Sequence, residues 1–269
     1  MGSVLLPFVP SCAEMVLEIL PTRTAGAAEN MAVDFLLLQR YPRESAPRFR
    51  HYEWRAPAFT FGYSQKIAFV REQLPPGETF DVCRRPTGGG IVDHRDDWTY
   101  ALVIPRGHPL EELRATQSYR VIHEALAKTL QAQNVAAMTK TSSAEPPEVA
   151  VSPSVTFPSG LPSMGSVPEG VCFQRAELYD VVHEVTGAKI AGAAQKRNKH
   201  GLLFQGSVWR PSAGSDSPID WDRFEAGFGA ALAIALDGAA EPVAWPDLAE
   251  DEISGLTEQY SSLEWIEHR

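Results

Sequence analysis

The segment from Arg84 to His94 constrains the fold of this chain more than any other stretch of its sequence. Three consecutive glycines, Gly88 to Gly90, follow a short apolar run that predicts a buried strand over residues 80–83. Glycine adopts positive φ freely and has no Cβ, so this backbone can turn sharply or lie directly against a ligand. Without their flanking residues, the three glycines would be explained by an ordinary turn between strands. The adjacent Arg84 and Arg85 favour a ligand-binding loop with a basic mouth.

The remaining sequence predicts strands and helices without regular alternation. Apolar or alternating runs predict strands over residues 15–20, 48–54, 59–61, 99–104, 178–182, 189–192 and 202–209. Propensity and periodic apolar residues predict helices over residues 25–40, 109–133 and 220–236, and a weak acidic helix over 247–260. Because βαβ alternation is missing, we expect an α+β fold with a largely antiparallel or mixed sheet flanked by helices.

Two arrangements of these strands are expected. The strands before and after the glycines, residues 80–83 and 99–104, are expected to pair as a hairpin. The three strands between residues 178 and 209 are separated by short turns and are expected to form a meander.

We expect one domain over residues 1–269, a length that suffices for a substantial core. Residues 140–170 are rich in Pro, Ser, Thr and Gly and show little periodicity, which predicts a long flexible loop. Residues 241–269 carry eight acidic residues and one basic residue, which predicts an acidic C-terminal tail.

Charge and hydrophobicity argue against two classes of partner. The net charge of -10 argues against a dedicated nucleic-acid binder. The sequence contains no apolar run long enough to span a bilayer, and residues 4–9 lack the basic flank of a signal peptide. We therefore expect a cytoplasmic protein with neither nucleic acid nor membrane as a partner.

The three cysteines, Cys12, Cys83 and Cys172, are too few for a disulfide framework and too scattered for a metal site. Cys83 lies in an apolar strand and is expected to be inert. Cys172 lies at the end of the predicted loop and just before a strand, where a thiol can be both exposed and anchored. It is a candidate nucleophile, with a buried apolar role as the alternative.

A cation near a thiol lowers the pKa of that thiol, and Lys189 is the candidate cation. Lys189 begins a strand of small residues, including Gly192 and Ala194, that leave room for a ligand. A solvated strand lysine is the alternative. His94 and the neighbouring aspartates are too closely bunched for a metal site, so we expect no metal and a turn lined by acids. The basic run over residues 196–200 predicts a solvated turn or, with Arg84 and Arg85, a basic rim for an acidic protein partner or a phosphate.

Five segments in this order resemble the lipoate-protein ligase and octanoyltransferase family. They are ENMAVDFLLLQ, FRHYEWRAPAFTFGYSQ, RRPTGGGIVDH, DDWTYALVIP and KIAGAAQKRNKHGLLFQGSVW, and the resemblance covers roughly residues 15–236. It implies an α+β fold related to the catalytic domain of biotin ligases and to class II aminoacyl-tRNA synthetases. Ligases of this family activate lipoate with ATP and Mg²⁺, whereas its transferases take octanoate from acyl carrier protein through a cysteine thioester.

Two further features resemble the cysteine-dependent octanoyltransferases of the family. Cys172-Phe173 is similar to their Cys-Phe, and Asp97-Trp98-Thr99-Tyr100 is similar to their acid-x-Thr-Tyr. The resemblance implies that Cys172 carries the octanoyl group as a thioester and that Lys189 acts beside it, with no cofactor required. The octanoyl acceptor would be a lysine of a lipoyl-domain protein, such as glycine cleavage H protein or a dehydrogenase E2 subunit.

The resemblance also implies a set of substrate-binding residues. They are Arg85, Thr87, Gly88, Gly89, Gly90, His94, Gly192 and Ala194. Three alternatives stay open at this point. The chain could be an ATP-dependent ligase that forms lipoyl-AMP, an amidotransferase that moves octanoyl groups between lipoyl proteins, or a relative that binds lipoyl domains or a small acyl ligand without catalysis.

Overall fold

A computed structural model describes residues 15–40, 45–141, 175–214 and 218–268. The strands of this part of the chain are β1 (Met15–Ala25), β2 (Arg48–Trp54), β3 (Ala58–Phe61), β4 (Asp81–Arg84), β5 (Ile91–Asp93), β6 (Asp97–Pro105), β7 (Ala137–Thr139), β8 (Val181–His183), β9 (Lys189–Asn198), β10 (Gly201–Trp209) and β11 (Gly238–Pro242). They form an eight-stranded sheet in the order β11-β1-β2-β6-β10-β9-β8-β7 and a three-stranded sheet in the order β4-β3-β5.

The helices of the described residues are α1 (Ala27–Gln39), α2 (Ile67–Gln73), α3 (Pro109–Glu112), α4 (Ala115–Gln131), α5 (Trp221–Ala235), α6 (Glu250–Ser261) and α7 (Leu263–Ile266). A short 3₁₀ helix, Arg210–Ala213, follows β10. No helix in this part of the chain is long and apolar enough to cross a membrane.

Strand β6 lies near the centre of the large sheet, and all nine of its residues are buried. Its side chains alternate between the two faces of the sheet, as the two-residue period of a strand requires. Tyr100, Leu102 and Ile104 pack with residues of α4 and α5 on one face. Ala101 and Val103 pack with residues of α1 on the other face. Helices therefore cover both faces of the large sheet.

The predicted α+β fold with a mixed, largely antiparallel sheet is confirmed. β1 pairs in parallel with β2 and β11, whereas the remaining pairs of the large sheet are antiparallel. The predicted meander is confirmed, because β8, β9 and β10 are consecutive antiparallel neighbours.

The predicted hairpin around the glycines is wrong. β4 and β5, which flank the glycines, both pair with β3 in the small sheet, and β6 pairs with β2 and β10 in the large one. The physical reason is burial. A strand that is apolar on both faces needs partners on both edges and helices on both faces, which an isolated hairpin cannot supply.

The helix predicted over residues 109–133 is two helices. Leu113 and Arg114 have extended backbone conformations, with ψ of 153° and 150°, so α3 ends and α4 starts in a new direction. Pro109 begins α3 as predicted, and the His108 Nδ1 atom accepts a hydrogen bond from the Leu110 N–H at 3.1 Å. The break leaves α4 as the amphipathic helix that packs on the large sheet.

Two predicted segments have different outcomes. The acidic residues 241–269, expected as a tail, include α6 and α7, and α6 packs against α1 with Tyr260 only 2% exposed. Of the loop predicted over residues 140–170, all but residues 140 and 141 lies outside the described residues.

Candidate active site

A cleft of about 500 Å³, its open mouth included, is lined by residues of both sheets and of α1. Its walls combine apolar side chains with a few polar groups, a pattern typical of small-molecule sites. The lining residues are Met31, Tyr52, Trp54, Thr60, Arg85, Gly89, Val92, His94, Thr99, Lys189, Gly192, Ala193, Ala194, Gln205, Gly206 and Ser207. Six of the predicted site residues therefore share one cleft.

The glycine loop is held in place by Arg85, whose side chain is buried. One guanidinium nitrogen donates to the backbone carbonyls of Gly88 and Gly90, at 2.9 Å each, and the other donates to Thr60 Oγ1 at 2.8 Å. Gly89, between the two carbonyls, has φ of +91° and lines the cleft. This left-handed conformation favours glycine, so at least one of the three glycines is there for the backbone geometry.

Arg84 does not contribute to a basic rim, which corrects the sequence prediction. It is fully buried, and its guanidinium donates to the backbone carbonyls of Tyr63, Gln65, Trp265 and Ile266 at 2.6–3.0 Å. Two of these carbonyls belong to the C-terminal end of α7, where a cation is favourable. Arg84 therefore connects α7 to the strand that precedes the glycine loop.

His94 forms a hydrogen-bonded chain across one wall of the cleft. Its Nδ1 lies 2.7 Å from Asp97 Oδ2, and its Nε2 lies 2.6 Å from Thr60 Oγ1. Because Thr60 Oγ1 accepts from Arg85, its own proton is directed to Nε2, which leaves Nδ1 as the donor to Asp97. The indole of Trp54 stacks on the His94 ring with 4.0 Å between ring centroids.

Asp97 is buried at the start of β6, so the predicted turn lined by acids is wrong at this residue. Besides His94, the hydroxyls of Thr99 and Ser207 donate to its Oδ2 atom. Thr99 and Ser207 lie on adjacent strands and are paired in register, which is how they reach one carboxylate. Asp97 therefore orients three polar side chains that line the cleft.

Thr87 reaches the cleft indirectly, through Gln205. The Thr87 hydroxyl donates to Gln205 Oε1 at 2.7 Å, and Gln205 Nε2 donates to Asp34 Oδ2 at 2.7 Å. Asp34 is also paired with Arg50 at 2.6 Å, and both side chains are buried. This chain of bonds connects the glycine loop, the centre of the large sheet and α1 beneath the cleft.

Lys189 lies at the start of β9 with its side chain only 8% exposed, which rules out a solvated strand lysine. Its Nζ atom is 2.7 Å from Asp180 Oδ2. Three residues later Gly192 faces this ion pair. A Cβ on Gly192 would lie 2.7 Å from both Cε and Nζ of Lys189, so only glycine fits beside the lysine as it stands.

The basic run after Ala194 is largely strand, which corrects the prediction of a solvated turn. Lys196 and Arg197 belong to β9, and only Lys199 and His200 form the turn to β10. Lys196 Nζ donates to the Pro86 carbonyl at 3.3 Å, close to the glycine loop. Arg197 donates to backbone and side-chain oxygens near the start of α4. Both long side chains thus bind other protein atoms.

The cysteines divide as follows. Cys83 is buried in β4, as predicted, and burial raises the pKa of its thiol well above the ordinary value, which supports the prediction of an inert residue. Cys172 and Cys12 lie outside the described residues. The nucleophile assigned to Cys172 stays a prediction.

A family model described as the lipoyl protein ligase A/B catalytic domain matches residues 26–210. This range contains the glycine loop, the buried Lys189 and all the residues that line the cleft.

The chain belongs to this family.

Relatives and solved structures agree with this membership. Octanoyltransferase LipM of Bacillus cereus is 31% identical over 183 residues, which are 67% of this chain and 60% of that protein. The match thus spans about 60% of that relative's length. Octanoyltransferase LipM of Staphylococcus aureus is 27% identical over 274 residues, covering 88% of this chain and 93% of that protein.

Lipoate ligases have the same fold. A lipoate-protein ligase A bound with ATP superposes with a TM-score of 0.65 at 17% identity, covering 94% of this chain and 98% of that chain. A second neighbour is a bipartite lipoate protein ligase of Thermoplasma acidophilum, studied with its E2 lipoyl domain. It superposes with a TM-score of 0.64 at 16% identity, covering 93% of this chain and 96% of that chain. At these identities the likeness establishes the lipoate ligase fold of this family member.

Several residues at the site escaped sequence reasoning. Asp180, Gln205 and Thr60 each contact a predicted site residue, whereas Tyr119 binds Asp180 and Ser207 binds Asp97. None of the five stands in a distinctive local pattern. One weak signal existed for Asp180, because an acidic residue in the strand predicted over residues 178–182 can lie across from a lysine of the next strand. The others become visible only through long-range contacts.

Proposed function

We propose that this member of the family transfers an octanoyl group from acyl carrier protein to a lysine of lipoyl-domain proteins in the cytoplasm. The relatives named Octanoyltransferase LipM support the octanoyl chemistry and protein lipoylation as its purpose. The E2 lipoyl domain studied with the Thermoplasma ligase supports a lipoyl domain as the acceptor. The proposal requires no metal and no cofactor.

The proposed transfer has two steps that share one covalent intermediate. First, the Cys172 thiolate attacks the carbonyl carbon of the octanoyl thioester on the carrier. The new carbon–sulfur bond to Cys172 forms as the bond to the carrier's sulfur breaks, and the carrier leaves as a thiol with the proton that Cys172 gave up. Second, the neutral amine of the target lysine attacks the Cys172 thioester. The amide bond forms as the carbon–sulfur bond to Cys172 breaks, and the proton lost by the amine returns to the Cys172 sulfur.

The observation that carries the proposal is the buried position of Lys189 at the wall of a cleft with apolar sides. An ammonium held there would stabilise the oxyanion that develops in each step, since a preorganised charge in a site shielded from water acts strongly on developing charge. The same ammonium would favour the thiolate of Cys172. Met31, Tyr52, Trp54 and Val92 would contact the eight-carbon chain.

The test uses intact-mass measurement after incubation with octanoyl acyl carrier protein. We expect the wild-type protein to gain the mass of one octanoyl group, the adduct to be lost on addition of a lipoyl domain, and Cys172→Ser to gain nothing. Cys83→Ser is the matched control, because Cys83 is buried away from the cleft, and it should still acquire the group.

Other outcomes would point to the alternatives. Unchanged octanoyl transfer by Cys172→Ser would overturn the thioester mechanism. Release of pyrophosphate from ATP with octanoate or lipoate, together with a modified lipoyl domain, would identify a ligase instead. A donor restricted to octanoylated lipoyl proteins would identify an amidotransferase, and no adduct from any donor would favour a non-catalytic relative.

A further inference from the structure

We propose that Asp180 is the positioning residue for Lys189, and that Tyr119 on α4 holds Asp180 in place. The inference deepens the proposed octanoyl transfer and rests on it for its functional consequence. Asp180 does not line the cleft, whereas Lys189 does. Asp180 would therefore act on the reaction only through the lysine.

The ion pair itself is enclosed by protein. Lys189 Nζ lies 2.7 Å from Asp180 Oδ2, and the two side chains are 8% and 1% exposed. A lysine has four rotatable side-chain bonds, so an unguided ammonium would sample many positions at the cleft wall. The buried carboxylate selects one of them. A charge placed in advance is what stabilisation of an oxyanion requires, and displacement by about 1 Å can cost on the order of 100-fold in rate.

The Asp180 carboxylate is fixed from two further directions. The Tyr119 hydroxyl donates a short hydrogen bond to Oδ1, and the Glu177 N–H donates to Oδ2 at 2.7 Å. Burial and the adjacent carboxylate raise the pKa of Tyr119 well above its ordinary value, so the phenol keeps its proton and stays a donor. With both oxygens engaged, the carboxylate cannot rotate away from the lysine.

The backbone before Asp180 adopts a conformation that only the surrounding structure can maintain. Tyr179 has φ of +68°, a left-handed conformation that is unfavourable for a bulky side chain. His123 on α4 donates from Nδ1 to the Tyr179 carbonyl at 2.7 Å. Burial lowers the pKa of His123 to about 4, so the ring is neutral at ordinary pH, with its proton on the nitrogen that faces the carbonyl. Strain of this kind is concentrated at functional sites.

Tyr119 also joins this assembly to the wall of the cleft. Its hydroxyl oxygen accepts a hydrogen bond from the Ala193 N–H at 2.9 Å, and Ala193 lines the cleft next to Gly192. One hydroxyl thus aligns both the partner of Lys189 and the strand that carries Lys189. Because Tyr119 and His123 are one helical turn apart, a single face of α4 supplies both contacts.

The first measurement is independent of the proposed reaction. Purified wild-type protein and the variants Asp180→Asn, Asp180→Glu and Tyr119→Phe are treated with limiting acetic anhydride. Peptide mass spectrometry then compares acetylation of Lys189 with that of Lys66, an exposed lysine directly before α2. We expect Lys189 to react faster relative to Lys66 in Asp180→Asn and Tyr119→Phe than in the wild type, because the ammonium is no longer held. Asp180→Glu keeps the charge and should stay closer to the wild type.

The second measurement is octanoyl transfer from octanoyl acyl carrier protein to a lipoyl domain. We expect Asp180→Asn to lower kcat on the order of 100-fold with little change in KM for the carrier, and Asp180→Glu to recover part of the loss. Glu184→Gln, an exposed carboxylate in the turn after β8, is the control and should transfer normally. Tyr119→Phe keeps both charges and provides a second variant should Asp180→Asn fold poorly.

The two proposals fail in different ways. If the wild-type protein shows no octanoyl transfer, the proposed function is wrong, and the Lys189 reactivity alone decides whether Asp180 positions the lysine. If the wild-type protein transfers octanoyl groups while folded Asp180→Asn and Tyr119→Phe keep wild-type kcat, the positioning role is overturned. A loss confined to KM would also contradict it, since carrier binding would then be what changed.

Discussion

At Gly192 the cleft depends directly on the absence of a side chain. The space that a Cβ would take is filled by the end of the Lys189 side chain, and Asp180 Oδ1 would lie 3.1 Å from the same point. Gly88, by contrast, has open space where a Cβ would be. A glycine that packing requires therefore lies in the Lys-Ile-Ala-Gly segment, outside the glycine loop.

We expect Gly192→Ala to displace the Lys189 ammonium and to reduce the proposed octanoyl transfer about 10- to 100-fold. The effect on stability should be smaller, because the long lysine side chain can move aside. Steady-state kinetics and thermal unfolding of the same preparation measure both quantities.

Gly255→Ala is the matched control for this substitution. Gly255 lies in α6, an added Cβ there meets nothing within 4 Å, and alanine is the better helix former. It should leave transfer unchanged. Normal transfer by Gly192→Ala would show that the reaction does not depend on a fixed position of the Lys189 ammonium.

At the scale of elements, the glycine loop is supported by the C-terminal helices. Arg84 at the end of β4 binds the carbonyls of Trp265 and Ile266, and the Trp265 indole donates back to the Arg84 carbonyl at 2.9 Å. The loop is also close to β3, since the Tyr63 N–H donates to the Thr87 carbonyl at 2.8 Å. A segment near the C-terminus thus stabilises a loop that lies far from it in the sequence.

We expect Arg84→Ala to lower the free energy of unfolding by about 3 kcal/mol or more, because several carbonyls lose their donor in a buried environment. Arg71→Ala is the matched control. Arg71 pairs with Glu267 of the same C-terminal segment, but both side chains are about half exposed, at 57% and 48%. That pair should contribute less than about 1 kcal/mol. Urea unfolding of the two variants gives the comparison, and equal effects would contradict the assigned role of Arg84.

For the molecule as a whole, buried histidines predict sensitivity to acid. Burial lowers the pKa of His123 to about 4, and it also lowers the pKa of His51 and His108. An unfolded histidine takes up a proton near pH 6.5, whereas buried His123 stays neutral until about pH 4. Its contribution to stability is therefore complete above about pH 6.5 and is lost as the pH falls from there towards 4.

We expect this loss to reach about 2 kcal/mol for His123 between pH 7.5 and pH 5, at 1.4 kcal/mol per unit of pKa difference. Urea unfolding at the two pH values measures it. In His123→Gln the amide can still donate to the Tyr179 carbonyl but does not titrate, so this variant should lose less stability over the same interval. An identical pH dependence in both proteins would show that His123 does not titrate with a lowered pKa.

Much of the fold could be predicted because its signals are local. The alternation of residues 48–54, the apolar run of β6 and the turn at Gly187 predicted strands that the structure contains. Which strands pair with each other could not be predicted as well. Pairing of β4 and β5 with β3 depends on competition among strands for burial, which no single segment reveals.

The glycine loop and Lys189 were evident from the sequence alone, because they are short local patterns whose chemistry depends on residue type: glycine for its backbone and lysine for its charge. The tertiary structure decided that, of two buried arginines, Arg84 binds the C-terminal helices while the adjacent Arg85 lines the cleft, and that Asp180 meets Tyr119 from 61 positions away in the chain. Burial and hydrogen bonding are properties of the packed chain. Neighbouring residues of the same type can therefore have different environments, and only the fold determines which one lines the cleft.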